Sequence, residues 1–125
     1  MDDVFSAEMQ TLSARALQRL RAAGCAITDE AALARLAVAS DLAIDALVRQ
    51  PELLDRLQTD AAAPLPAPML EADNQGEWAR LLRRYRQAES TRLVWRDVVE
   101  CADVEEVLAG SSALAETCQI GRAHV

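Results

Sequence analysis

Apolar positions along this chain recur three and four residues apart, the spacing that puts side chains on one face of a helix. In 6–23, Met9, Leu12, Ala16 and Leu20 follow that rule, with Ser6 placed to cap the start and Gly24 to stop the helix in the left-handed region. A second helix runs to about residue 39: Thr28 offers its hydroxyl to the free amides, and Asp29 and Glu30 put negative charge at the positive end of the helix dipole. Ser40 and Asp41 repeat that cap chemistry, which favours a third helix over continuing the second and leaves Ile44, Leu47 and Val48 on its inner face.

Within SDLAIDALVRQPELLDRL, Pro51 interrupts an otherwise helical pattern. Inside a helix it removes an amide and its ring clashes with the carbonyl of Leu47, at about 3 kcal/mol, whereas at the first helical position it costs little. The stretch therefore predicts a corner at Arg49 and Gln50, then a new helix that starts at Pro51 and turns Leu53, Leu54 and Leu57 to the same core.

Residues 59–76 contain Pro64, Pro66 and Pro68 among small residues and read as a linker extended over the surface. From Glu77 to about Ala102 the pattern predicts one long helix, with Trp78, Leu81, Leu82, Tyr85, Ala88, Val94, Trp95, Val98, Val99 and Ala102 along a broad apolar stripe. Asp103 and Glu106 then form a D-x-x-E capping pair for a last helix, which Gly110 weakens by about 1 kcal/mol relative to Ala without ending it. No segment alternates as a strand does, and the two tryptophans, 17 positions apart, fit no 34-residue repeat. The fold class is all-α: short helices joined by tight corners, a Pro-rich linker, a long helix and a further capped helix.

Composition narrows the function. The 125 residues are 51% hydrophobic, enough for one domain, or part of one, with a modest core. Net charge is -7, and all 13 basic residues are Arg. With 25 Ala, this points to a G+C-rich, bacterial coding sequence. Such an acidic chain repels phosphate backbones, so no nucleic-acid partner is expected. The start MDDVF is acidic where a signal peptide is basic, and no apolar run approaches the roughly 18 residues of a membrane span. A soluble, cytoplasmic protein is expected. Cys25, Cys101 and Cys118 lie far apart and in no C-x-x-C pair, which indicates free buried thiols rather than disulfides or zinc.

Each candidate site has a plainer structural reading. Arg80, Arg83, Arg84, Arg86, Arg92 and Arg96 could bind phosphate or an acidic partner, but Glu89–Arg92 and Arg96–Glu100 have the spacing of surface ion pairs on a solvated helix face. Gly110-Ser111-Ser112 resembles the start of a nucleotidyltransferase signature, yet no Asp follows Asp103 to hold magnesium. Ser111 and Ser112 lack a neighbouring base, the sole histidine being His124. Asp41 and Asp45, one turn apart, have no third ligand beside them in sequence and read as cap and surface carboxylates. Trp78 and Trp95 read as core residues rather than a stacking platform. No catalytic, cofactor-binding or metal-ligating residue is assigned. The last six residues, IGRAHV, translate ATCGGAAGAGCACACGTC, which looks like the opening of a sequencing adaptor, so 120–125 is expected to be an artefact and His124 carries no weight.

Two blocks resemble the amino-terminal region of bacterial glutamine synthetase adenylyltransferase. The first is Ser40, Asp41 and the leucine corner Pro51, Glu52, Leu53 and Leu54. The second runs from Leu82, Arg83, Arg84, Tyr85 and Arg86 through Arg92, Leu93, Val94, Trp95, Arg96 and Asp97 to Ala113, Leu114, Ala115 and Glu116. The chain departs from the family's pattern at Ala88 and Ser90, and at Gly110-Ser111, which interrupts the last helix.

The resemblance implies a bifunctional enzyme that attaches AMP from ATP to a tyrosine of glutamine synthetase and removes it by phosphorolysis, using magnesium. It also implies glutamine synthetase and a nitrogen-signalling regulatory protein as partners. The expected organisation is an amino-terminal helical segment over 1–58, the linker over 59–76, and a lead-in to an absent nucleotidyltransferase core over 77–119. This part holds no catalytic carboxylates and is expected to be inactive alone, with Val94, Val98 and Val107 left partly uncovered. A free-standing helical adaptor that docks a protein through its Arg-bearing helix is the alternative.

Overall fold

The computed structural model describes the backbone of residues 2–123 and the side chains of residues 6–119; His124 and Val125 lie outside. Every regular element among the described residues is helical: α1 (Asp2–Ala22), α2 (Glu30–Ala39), α3 (Asp41–Arg49), α4 (Pro51–Asp60), a 3₁₀ turn (Ala72–Glu77), α5 (Trp78–Val98) and α6 (Val104–Ala123). The all-α expectation holds.

Helix α1 begins at Asp2, so Ser6 lies within it and is not its cap. Inside the helix, the Ser6 hydroxyl has no free first-turn amide to accept from. Its end is as expected: Gly24 takes φ +90°, and Cys25 N–H reaches back to Leu20 O at 3.0 Å. Ala16 and Leu20 are buried, whereas Leu12 is 43% exposed, so only the second half of α1 reaches the core.

The cap of α2 is Asp29, whose carboxylate accepts from Ala32 N–H at 3.0 Å. Thr28 is displaced from that role because Gln58 on α4 pins the preceding loop. The Gln58 side chain accepts from Thr28 N–H at 2.9 Å and donates to Ala26 O at 2.8 Å. Ser40 caps α3 as expected, accepting from Ala43 N–H at 3.1 Å. At the corner, Gln50 leaves helical geometry with φ -129° and ψ 73°, outside the α region that a following proline disfavours, and Pro51 opens α4. Gln50 itself is buried and donates to Arg84 O on α5 at 3.3 Å, and Arg84 pairs with Glu52 at 2.7 Å. The corner is thus tied to the long helix.

Leu20, Leu33, Leu36, Ile44, Leu47 and Leu54 are the largest fully buried side chains, and with Leu53, Leu57, Ala88 and Trp95 they form the main core between α1–α4 and α5. A second, smaller cluster of Leu93, Leu114 and Cys118, with Tyr85 against it, joins α6 to the opposite side of α5.

Residues 61–71 carry no helix, as the prolines require, but the stretch does not simply cross the surface. Leu65 packs on the main core, its N–H donates to Glu89 Oε1 at 3.3 Å, and 72–77 winds into the 3₁₀ turn. Trp78 is buried at its end, its indole N–H shared between Glu71 O at 3.0 Å and Asn74 Oδ1 at 2.7 Å.

Helix α5 stops at Val98, four residues short of the expectation. Cys101 adopts φ +52°, a left-handed conformation unusual for a non-glycine residue, and Ala102 N–H donates to Arg96 O at 2.8 Å. The reversal is held from inside by Arg96, which pairs with Glu100 at 3.2 Å and with Glu106 at 2.7 Å. Glu106 is therefore spent on Arg96 rather than on a reciprocal capping pair. Asp103 still accepts from Glu105 N–H at 3.3 Å at the start of α6. Gly110 does not interrupt α6; it sits where the two helices meet, and a Cβ there would fall 2.5 Å from Leu93 Cδ2.

Candidate interaction surface

The six arginines of the long helix divide by environment. Arg80 pairs with Glu77 at 3.3 Å, and Arg84 and Arg96 are engaged as above. Arg92 is not on a solvated face: its side chain is 4% exposed and that of its partner Glu89 5%. Besides the bidentate pair, Arg92 donates to Ala61 O at 3.1 Å and Ala62 O at 3.5 Å. Those carbonyls follow the C-terminus of α4, where the chain has acceptors without helical partners. Only Arg83 and Arg86 are exposed with no ion-pair partner among the described residues.

Two grooves run along α5. One, of about 460 Å³, lies between α3 and α5 and is lined by Leu42, Asp45, Arg49, Arg83, Arg86 and Val94 among others. The other, of about 600 Å³, lies between α5 and α6 and includes Leu93, Val94, Asp97, Val107, Leu114 and Ser111. Arg86, Ser90 and Val94, one helical turn apart, line both and form the ridge between them. Leu42 projects at the α3 edge with 80% exposure, and Arg49 beside it also lacks an ion-pair partner among the described residues. Asp45 in the same groove is taken by Arg19 at 2.7 Å. What results is a concave, basic face with an exposed leucine on an otherwise acidic chain.

Other candidates take structural places. Trp78 and Trp95 are buried, Ser112 is exposed, and Asp41 lies in the first turn of α3. Cys25 and Cys118 are buried free thiols, as expected; Cys101 is exposed, because it forms the outer bend between α5 and α6. Burial, with Asp55 and Glu52 nearby, pushes the Cys25 thiol above its ordinary range, which keeps it protonated and unreactive. Burial likewise raises the Tyr85 phenol, with Glu89 adding to the effect. Among the described residues no group of three or more His, Cys, Asp or Glu stands close enough to hold a metal ion. No described helix is long and apolar enough to cross a membrane.

Leu42 was not singled out by sequence pattern, and Arg49 was read only as part of the corner before Pro51. The signal was there for Leu42: it falls outside the buried set of Ala43, Ile44, Ala46 and Leu47 on a nine-residue helix. Arg49 joins the groove only because the corner at Gln50 folds α3 against α5, which no local pattern states.

The model of the family described as glutamate-ammonia ligase adenylyltransferase matches residues 26–124. A protein from Xanthomonas campestris pv. campestris, named bifunctional glutamine synthetase adenylyltransferase/adenylyl-removing enzyme, is 55% identical over 86 residues, 69% of this chain and 9% of its own length. A protein of the same name from Stenotrophomonas maltophilia is 52% identical over the same shares. One from Pseudomonas aeruginosa is 31% identical over 129 residues, 83% of this chain and 13% of its own length. The chain thus spans about a tenth of the relatives it matches. No solved structure matches it. With most of its length matched by the family model and its helical core and Arg-rich α5 inside that match, the chain belongs to the glutamate-ammonia ligase adenylyltransferase family.

Proposed function

We propose that this chain is a non-catalytic helical segment of a bifunctional enzyme that adenylylates and deadenylylates a tyrosine of glutamine synthetase, and that it helps present a protein-docking face beside the catalytic parts. The observation that carries the reading is the family match over residues 26–124. A second supports its non-catalytic character: the side chains brought together among the described residues are an apolar core, structural ion pairs and a basic groove. ATP as AMP donor and magnesium would be handled by other parts of the polypeptide. The enzyme would work in the cytoplasm, under a nitrogen-signalling regulator, and the net charge of -7 on this chain as a whole favours neither a membrane nor a nucleic acid as its partner.

The test is a chimera. Substituting residues 26–119 of this chain for the corresponding stretch of the Xanthomonas campestris relative is expected to keep AMP transfer to and release from glutamine synthetase within a few-fold of the parent. The isolated 125-residue chain is expected to release no AMP above buffer. A folded chimera without either activity, or AMP release by the isolated chain, would overturn the reading.

A further inference from the structure

We propose that the α3–α5 groove, with Leu42 at its rim and Arg49, Arg83 and Arg86 along it, receives an acidic, apolar-anchored segment of the protein substrate, glutamine synthetase. The inference rests on the reading above that glutamine synthetase is the substrate, and it adds the surface and the chemistry of recognition.

Charge is the first argument. The chain carries 20 acidic and 13 basic residues, and six of the described arginines are engaged by carboxylates: Arg19, Arg21, Arg80, Arg84, Arg92 and Arg96. Arg49, Arg83 and Arg86 instead converge on one groove with no carboxylate paired to them, and the groove's own Asp45 is held by Arg19. Within a Debye length of about 8 Å, such a cluster outweighs the more distant negative charge of the rest of the chain. A planar guanidinium presents two parallel donors to a carboxylate, so an Asp- or Glu-bearing segment fits this set.

Shape is the second. Leu42 at 80% exposure and the half-buried Val94 give an apolar anchor point at either side of the basic floor. Arginine is enriched at energetically dominant interface sites, and covering the Leu42 side chain adds buried apolar area to it.

A second copy fits less well. A second copy docking by two-fold symmetry would set the three arginines against their own equivalents, and two chains of net charge -7 repel at long range. Another part of the same polypeptide would meet a groove about as polar as interfaces within a chain commonly are, and the experiment below separates it from glutamine synthetase, because the isolated chain would then bind none.

The experiment immobilises the 125-residue chain and titrates purified glutamine synthetase over it. Wild-type chain is expected to bind, and Arg83→Glu/Arg86→Glu to weaken binding by tenfold or more. Leu42→Ser is expected to weaken it several-fold. All three side chains are exposed, so the melting temperature is expected to stay unchanged. Arg15→Glu/Arg35→Glu alters net charge equally on α1 and α2 and is expected to leave binding within twofold. Raising salt from about 50 to about 300 mM is expected to weaken the wild type and to affect the double Arg variant less. Absence of binding by the wild type, or equal weakening by both double variants, overturns the proposal. So does a groove variant that loses thermal stability, since the arginines would then serve the fold. The chimera of the preceding section leaves this groove's sequence intact, so its activity alongside a groove that binds nothing would overturn the groove proposal alone.

Discussion

Arg92 and Glu89, three residues apart on α5, form a bidentate ion pair almost wholly out of solvent, with Arg92 Nη2 2.9 Å from Glu89 Oε2. The pair fastens the stretch 61–65 to α5 at three backbone groups. Arg92 takes the carbonyls of Ala61 and Ala62, and Glu89 takes the amide of Leu65. An interaction worth a few tenths of a kcal/mol on a solvated helix becomes here a buried polar junction in which each group depends on the others.

Arg92→Met is therefore expected to destabilise the chain by about 3–5 kcal/mol, because it strands the Glu89 carboxylate in a desolvated site. Arg92→Met combined with Glu89→Leu is expected to recover most of that loss. Urea denaturation of the two single variants and the double variant measures the coupling; additive losses would show that the two side chains act independently.

The helix caps yield a contrast between neighbours. Asp29→Ala and Ser40→Ala are each expected to cost about 1 kcal/mol, the value of a lost N-cap. Thr28→Ala is expected to change stability little, since only the Thr28 backbone amide is used, by Gln58. Chemical denaturation midpoints at constant slope read all three.

Gly110 faces Leu93 across the α5–α6 contact. Gly110→Ala gains about 1 kcal/mol of helix propensity and must displace only the tip of the Leu93 side chain, so a net change within about 1 kcal/mol is expected. Gly110→Leu is expected to cost about 1–3 kcal/mol by overpacking the same spot. Thermal melts compare them; equal effects of Ala and Leu would mean that the helices can separate there freely.

The Arg96–Glu106 pair sets an acid limit on the α5–α6 reversal. Hydrogen bonds from Arg96 hold the Glu106 carboxyl below its ordinary value, with the charges of Arg96 and Arg92 adding to the effect. A lowered folded-state value means the contribution is present above the ordinary carboxylate range and is lost as pH falls through the lowered value. The fluorescence of Trp95, adjacent to Arg96, is expected to report loosening below about pH 4. Arg96→Gln is expected to remove that acid transition, and its persistence in the variant would assign it to other carboxylates.

The elements legible in the sequence were those fixed by chemistry within a few residues. Ser40 had a hydroxyl three positions before a free amide, Gly24 had the conformational freedom for a left-handed stop, and Pro51 could only begin a helix. The family was legible as well, since its two blocks sit in order across the proline-rich stretch. The candidate face was legible in part: Arg83 and Arg86 were named, without the reason that sets them apart from Arg80, Arg84, Arg92 and Arg96.

What local pattern left open depended on partners distant in sequence. Gln58 moved the α2 cap from Thr28 to Asp29 by holding an amide 30 residues away. The carbonyls after α4 drew Arg92 into the interior, and Glu106 ended α5 early by giving Arg96 a reason to hold the reversal through Cys101. By itself, the sequence determined an all-helical chain, its corners and its family, because capping, proline geometry and apolar period act over one or two turns. Only the tertiary structure decided which arginines are buried, which are paired and which line an open groove, because burial and ion pairing depend on what other helices bring within a few ångströms.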